Sequence, residues 1–217
     1  MDYARARANM VESQIRTNRI LDPGLVRALS EIPREHFLPK AMRSFAYLDE
    51  DLELGGGRFL IEPLVLARLV AAVEIAPTDV VLCIGDATGY VTAVTARLAQ
   101  TVVSLECDGE WATRAGNALG ELKVDNAAVV QGPLDQGYPA QAPYQVILFA
   151  GGIGEVSPNL CRQLAEGGRL GAVVSHREGV GKGTVVTRVG DTFGRTVVFD
   201  GATPLLPGFR PKPGFIF

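Results

Sequence analysis

Apolar residues follow two rhythms along this chain, and the change comes near position 79. Ahead of it the spacing is helical. Residues 3–20 carry Ala, Arg, Met, Val and Ile at three- and four-residue intervals without Gly or Pro, which predicts a helix. Asp22-Pro23 reads as a cap followed by a first-turn proline, and it introduces Leu25, Val26, Ala28, Leu29 and Ile32. That helix stops before Pro33. Residues 33–54 read as irregular, and Gly55-Gly56-Gly57 as a flexible loop. Pro63 then opens an apolar helix through Val73.

After position 79 the pattern is short apolar strands separated by helix-length segments. Strands are predicted at 80–84, 101–105, 127–130, 146–150 and 170–174, with helices near 92–98, 110–122 and 157–164. Runs that are apolar throughout, rather than alternating, fit a parallel sheet covered on both faces. Two alternating segments, 184–189 and 195–199, flank Gly190-Asp191 and predict a hairpin. The end, from Pro204 to Phe217, is rich in Pro and Phe and is expected along the surface. The fold class is therefore α/β: a doubly wound, mostly parallel sheet with an N-terminal helical cap and a C-terminal antiparallel hairpin. One domain spans 1–217, with the cap and substrate-loop region at 1–75 and the α/β core at 76–217.

Composition narrows the function classes. With 47% hydrophobic and 21% charged residues the chain can bury a sizeable core. A net charge of -3 gives no field for wrapping nucleic acid, so no nucleic-acid partner is expected. Cys83, Cys107 and Cys161 are widely spaced, which excludes a thiolate metal cluster and reads as reduced thiols. The start has no apolar secretory core, and no run reaches membrane-spanning length. A cytoplasmic protein without membrane insertion is expected.

The chemistry concentrates in VVLCIGDATGY, residues 80–90, where a buried strand runs into a small-residue turn. In a doubly wound sheet that turn lies at the ligand crevice. Gly85 and Gly89 allow a sharp turn and close approach, and Asp86 and Thr88 can cap the next helix. Glu106, about 20 residues on, ends the second strand where an acidic side chain accepts ribose hydroxyls. Each has a bland alternative: the glycines can serve helix packing, and Glu106 can be a solvated strand end. Ala87, where a glycine would be usual, is tolerated unless its φ must be positive. The thinned glycines favour an uncharged nucleoside edge over a dinucleotide, and an NAD-dependent oxidoreductase is a poor fit.

The chain resembles the protein-L-isoaspartate O-methyltransferase family along nearly all its length. The resemblance is carried by Met10-Val11 with Gln14, Pro33-Arg34-Glu35 with Phe37 and Pro39, Ala46-Tyr47 with Asp49, and Gly57 with Pro63. It continues through Val81-Leu82, Ile84-Gly85, Gly89-Tyr90, Ser104, Glu106, Gln163-Leu164 and Gly167-Gly168-Arg169-Leu170. It implies the class I methyltransferase fold and S-adenosylmethionine as cofactor, with methyl transfer to the α-carboxylate of isoaspartate in damaged proteins. By resemblance, Gly85, Asp86, Gly89, Tyr90, Glu106 and Cys107 would bind the cofactor, and the loop 57–63 would meet the acceptor.

The departures fall in these same places. The family's Gln-Thr-Ile-Ser is Arg58-Phe59-Leu60-Ile61 here, so Phe59 replaces a threonine and Ile61 the serine that meets the reacting carboxylate. Cys83 replaces a glutamate, Ala87 a glycine, Pro133 an aspartate expected near the adenine, and Gln145 an aspartate. The catalytic positions are Arg58 and Ile61: Ile61 presents an apolar wall, and Arg58 either faces solvent, its more ordinary role, or binds a carboxylate. His36 and His176 show no acid partner, and Trp111 meets an adenine ring or the core. Two readings stay open. One is a methyltransferase acting on a protein or peptide, of the isoaspartate type or retuned to a more apolar acceptor. The other is a homologue with its cofactor site weakened or lost that binds a protein partner, its tail from Gly208 to Phe217 supplying an interface.

Overall fold

Five parallel strands carry the core of the computed structural model, which describes residues 1–177 and 180–209. They are β3 (Val80–Ile84), β4 (Thr101–Glu106), β5 (Ala127–Gln131), β6 (Tyr144–Ile153) and β7 (Leu164–Arg177). Two antiparallel strands, β8 (Val180–Val189) and β9 (Thr192–Asp200), extend the sheet as the hairpin turned at Gly190-Asp191. The spatial order β5-β4-β3-β6-β7-β8-β9 reverses direction between β3 and β6. A ligand crevice forms at such a reversal, outside the carboxyl ends of the strands.

Side chains on β3 alternate between the two faces, as a strand requires. Val81 and Cys83 join the core shared with the cap, while Leu82 and Ile84 join the core under the opposite face. Helices α4 (Tyr90–Ala96) and α5 (Gly109–Glu121) are the crossovers after β3 and β4. No described helix is long and apolar enough to cross a membrane.

The cap is α1 (Tyr3–Met10), α2 (Pro23–Glu31) and α3 (Pro63–Val73), with a long connection over residues 32–62 between the last two. Its anchor is Arg34, fully buried, which donates from Nε to Ala46 O at 2.7 Å and from Nη2 to Ile61 O at 2.6 Å. Three expectations need correction. The predicted helix over 3–20 is α1 followed by a π turn and a 3-10 turn, ending at Arg19 with φ 61°. The stretch taken as irregular and flexible holds a hairpin, β1 (Leu52–Gly55) with β2 (Arg58–Leu60), too short to show alternation. Its turn needs φ of 90°, 62° and 72° at Gly55, Gly56 and Gly57. The helix expected at 157–164 is only α6 (Pro158–Cys161), because Leu164 already pairs with Tyr144 as the first residue of β7.

Candidate functional site

The turn after β3 is held from within by Asp86. Its Oδ1 accepts from Gly89 N at 3.0 Å and its Oδ2 from Thr92 N at 2.7 Å and Thr92 Oγ1 at 2.8 Å. Both oxygens are thus spent on the turn and the first turn of α4. Gly85 has φ 81° and Gly89 φ 87°, but a Cβ at Gly89 would sit 3.2 Å from Ala115 O, so that glycine serves the packing of α5. Ala87 is not among the residues with positive φ, and its methyl costs no backbone strain. Cys83 is fully buried, with Sγ 3.4 Å from Thr95 Oγ1. Burial pushes its thiol up to about 12. It faces the core rather than the crevice, so its replacement of a glutamate removes nothing from the ligand side.

Glu106 ends β4 with its side chain fully buried. Oε1 accepts from Cys107 N at 2.8 Å and Asp108 N at 3.1 Å. Oε2 is ion-paired with Arg58 Nη2, and that same nitrogen donates to Gly85 O at 3.1 Å. Arg58 is 3% exposed. The solvent-facing role expected for Arg58 is overturned: the hairpin turns it inward, across the carboxyl ends of β3 and β4.

A second segment closes the same place. Residues 203–209, expected along the surface, lie on the end of β6. Gly152 N donates to Pro204 O, and Leu206 N to Gly152 O, each at 2.8 Å. Thr203 Oγ1 donates to Asp51 Oδ1 at 3.0 Å, and the same oxygen accepts from Glu62 N at 2.9 Å. The Leu206 side chain rests on Gly85: a Cβ there would meet Leu206 Cδ2 at 2.7 Å and Cδ1 at 2.8 Å. Phe209 packs edge-on to Phe149, ring centroids 5.3 Å apart. Residues 210–217 of the proposed interface lie outside the described residues.

Other expected site residues are placed elsewhere. Tyr90 is fully buried and turned toward the cap, 5.6 Å from Phe37 and 4.8 Å from the Arg34 guanidinium, centroid distances in both cases. Ile61 is 1% exposed in the cap core, so it forms no wall against an acceptor. Cys107 is half-buried, its thiol raised by burial and by Glu106. Gln145 Oε1 accepts from Val80 N at 2.8 Å, a structural role. His36 does have an acid partner, Glu121, at 3.3 Å. With Thr88, Trp111 and Arg114 it lines a cavity of about 200 Å³, and Trp111 there lies under the Arg114 guanidinium. The His176 side chain lies outside the described part.

A family model described as protein-L-isoaspartate(D-aspartate) O-methyltransferase matches residues 5–191. The chain belongs to this family. It is 38% identical over 168 residues to protein-L-isoaspartate O-methyltransferase 1 of Rhodopseudomonas palustris, covering 77% of this chain and 69% of the relative. The protein-L-isoaspartate O-methyltransferase of Methanoculleus marisnigri is 40% identical over 174 residues, 80% and 79% of the two chains. A solved protein-L-isoaspartate O-methyltransferase superposes with a TM-score of 0.82 at 25% identity, covering 93% of this chain and 66% of that one. A Plasmodium falciparum structure assigned to the same methyltransferase class, in complex with S-adenosyl-L-homocysteine, superposes at 0.78 and 15% identity over 95% and 98%, a likeness of fold. The fold is thus the class I methyltransferase fold, and fold and family together imply a capacity for S-adenosylmethionine.

The crevice as arranged holds two of the chain's own side chains, Arg58 and Leu206. The carboxylate suited to a ribose and the Gly85 carbonyl just after β3 both take Arg58 as donor. Leu206 takes up the space that a Cβ on Gly85 would fill.

Two of the residues that decide this were missed by sequence reasoning. Leu206 sits in an apolar stretch between Pro204 and Pro207, which is also what a surface-lying tail looks like. Asp51 gave no signal, since a single acidic residue among Asp49, Glu50 and Asp51 reads as a solvated run.

Proposed function

We propose that this member of the repair-methyltransferase family keeps its cofactor crevice filled with its own side chains and does not methylate isoaspartate. The observation that carries the reading is Arg58, whose one nitrogen serves both Glu106 and Gly85 O. The acceptor side supports it. Methyl transfer to a carboxylate needs no general base, because the nucleophile is ionised at neutral pH. It needs donors that orient the anion and an in-line approach to the methyl group. Phe59 and Ile61 bring no hydroxyl to the loop, and the nearby cation is already paired. Burying an acceptor carboxylate there would leave its desolvation uncompensated.

The test is methyl incorporation into an isoaspartyl peptide with labelled S-adenosylmethionine, beside an active relative. The reading expects no incorporation above the no-enzyme control. Turnover comparable to the relative overturns it. A second reading, methyl transfer to a more apolar acceptor, is favoured by Phe59, half-buried on β2 next to Arg58. Label appearing on apolar carboxylic acids but not on isoaspartyl peptide would establish it instead.

A further inference from the structure

We infer that Arg58 is an intramolecular stand-in for the cofactor, so that the crevice is latched rather than lost. This rests on the closed reading above and goes past it, because a site that had merely decayed would not be expected to keep its receptor groups.

Those groups are intact. Glu106 keeps its place without help from Arg58, since Oε1 is fixed by the amides of Cys107 and Asp108. Gly85 keeps φ 81°, and Gly151 beside it is also bare under Leu206, where a Cβ would lie 2.8 Å from Cδ2. Asp86 holds the turn with no contribution from the crevice. Arg58 then supplies N–H donors to two acceptors that a bound nucleoside and amino group would otherwise use, a carboxylate and a backbone carbonyl. Among the described residues, Arg58 Nε and Nη1 are buried with no hydrogen-bond partner. A guanidinium with two of its three nitrogens unsatisfied is an incomplete substitute, and its removal frees Glu106 Oε2 and Gly85 O for an outside ligand with a full set of donors. Leu206 is the apolar half of the latch, on a segment joined to β6 by an isolated bridge from Gly152 to Leu205.

The experiment is calorimetric titration of full-length wild-type, Arg58→Gln and Arg58→Gln/Leu206→Ala protein with S-adenosylmethionine and S-adenosylhomocysteine. Near-UV circular dichroism confirms that each is folded. Wild type is expected to give no heat of binding at millimolar ligand. Arg58→Gln is expected to bind at least about 100-fold tighter, equivalent to about 2.8 kcal/mol at 1.4 kcal/mol per decade. The double variant should gain further, and none should methylate isoaspartyl peptide. If Arg58→Gln does not fold, Arg58→Lys takes its place, since an ammonium can face Glu106 without also reaching Gly85 O. It should gain about 10-fold. Folded variants that bind no better than wild type overturn the latch while leaving the closed reading standing. Micromolar binding by wild type overturns both.

Discussion

Replacing Gly85 with alanine puts a methyl group where the Leu206 side chain already lies, and the cost can be worked from two separate sources. At φ 81° a non-glycine residue is strained by about 1–2 kcal/mol. The new Cβ would also stand 2.7 Å and 2.8 Å from the two Leu206 methyl carbons. Forcing those apart is overpacking, worth about 1–3 kcal/mol. Gly85→Ala should therefore lose about 2–5 kcal/mol. Leu206→Ala alone removes a side chain that is 6% exposed and costs about 2 kcal/mol, the low end for a buried leucine, because the segment lies at the surface of its core. In the double variant the strain remains and the clash is gone. The sum of the single losses should then exceed the double loss by the clash itself, about 1–3 kcal/mol. Urea unfolding followed by far-UV circular dichroism measures all three. Additivity within about 0.5 kcal/mol would mean that Leu206 does not rest on Gly85, and the filled crevice would lose its second support.

Other outcomes follow from the same contacts. Asp86→Ala strips acceptors from Gly89 N, Thr92 N and Thr92 Oγ1, and should cost about 2–4 kcal/mol in urea unfolding; a loss below about 1 kcal/mol would contradict its role as the internal brace of the turn. Glu62 has its carboxyl pushed up from 4.5 to about 7, by burial first and then by Asp51 and Asp49. The fold therefore holds a proton that the unfolded chain has released, and this contribution, present below pH 4.5, is lost by pH 7. Glu62→Gln should gain about 1 kcal/mol at pH 8, a figure reduced for solvent screening of a half-exposed group, and nothing at pH 4; an equal effect at both values would refute the assignment. Cys83, raised to about 12 by burial, should stay unlabelled by a thiol reagent at pH 8 in the folded protein, and Cys107 should react slowly; rapid labelling of Cys83 by mass spectrometry would contradict its placement.

What was legible in the sequence was whatever depends on neighbours along the chain. Residues 80–84 are apolar throughout and 101–105 mostly so, they run up to Gly85 and Glu106, and they became β3 and β4 in parallel register. The Asp22-Pro23 start, the α5 helix and the Gly190-Asp191 hairpin rest on caps, spacing and turn chemistry of the same local kind. The β1–β2 hairpin escaped because four and three residues carry no usable period. The orientation of Arg58 escaped for a different reason: its partner Glu106 lies 48 residues away, and only the folded sheet brings the two together. Cys83 was read as a lost ligand group, yet that side of the strand faces α4, where the carboxylate of Asp86 supplies the polar anchor. The tail's apolar residues were visible, but which surface they covered was set by β6 and Gly85 rather than by their own pattern.

The most direct test of the account is calorimetric titration of the unaltered protein with S-adenosylmethionine and S-adenosylhomocysteine at pH 7.5. With Arg58 on Glu106 and Leu206 on Gly85, the account predicts no detectable binding of either up to millimolar ligand. A dissociation constant in the micromolar range for either would contradict it, and would place this chain among the cofactor-binding members of its family.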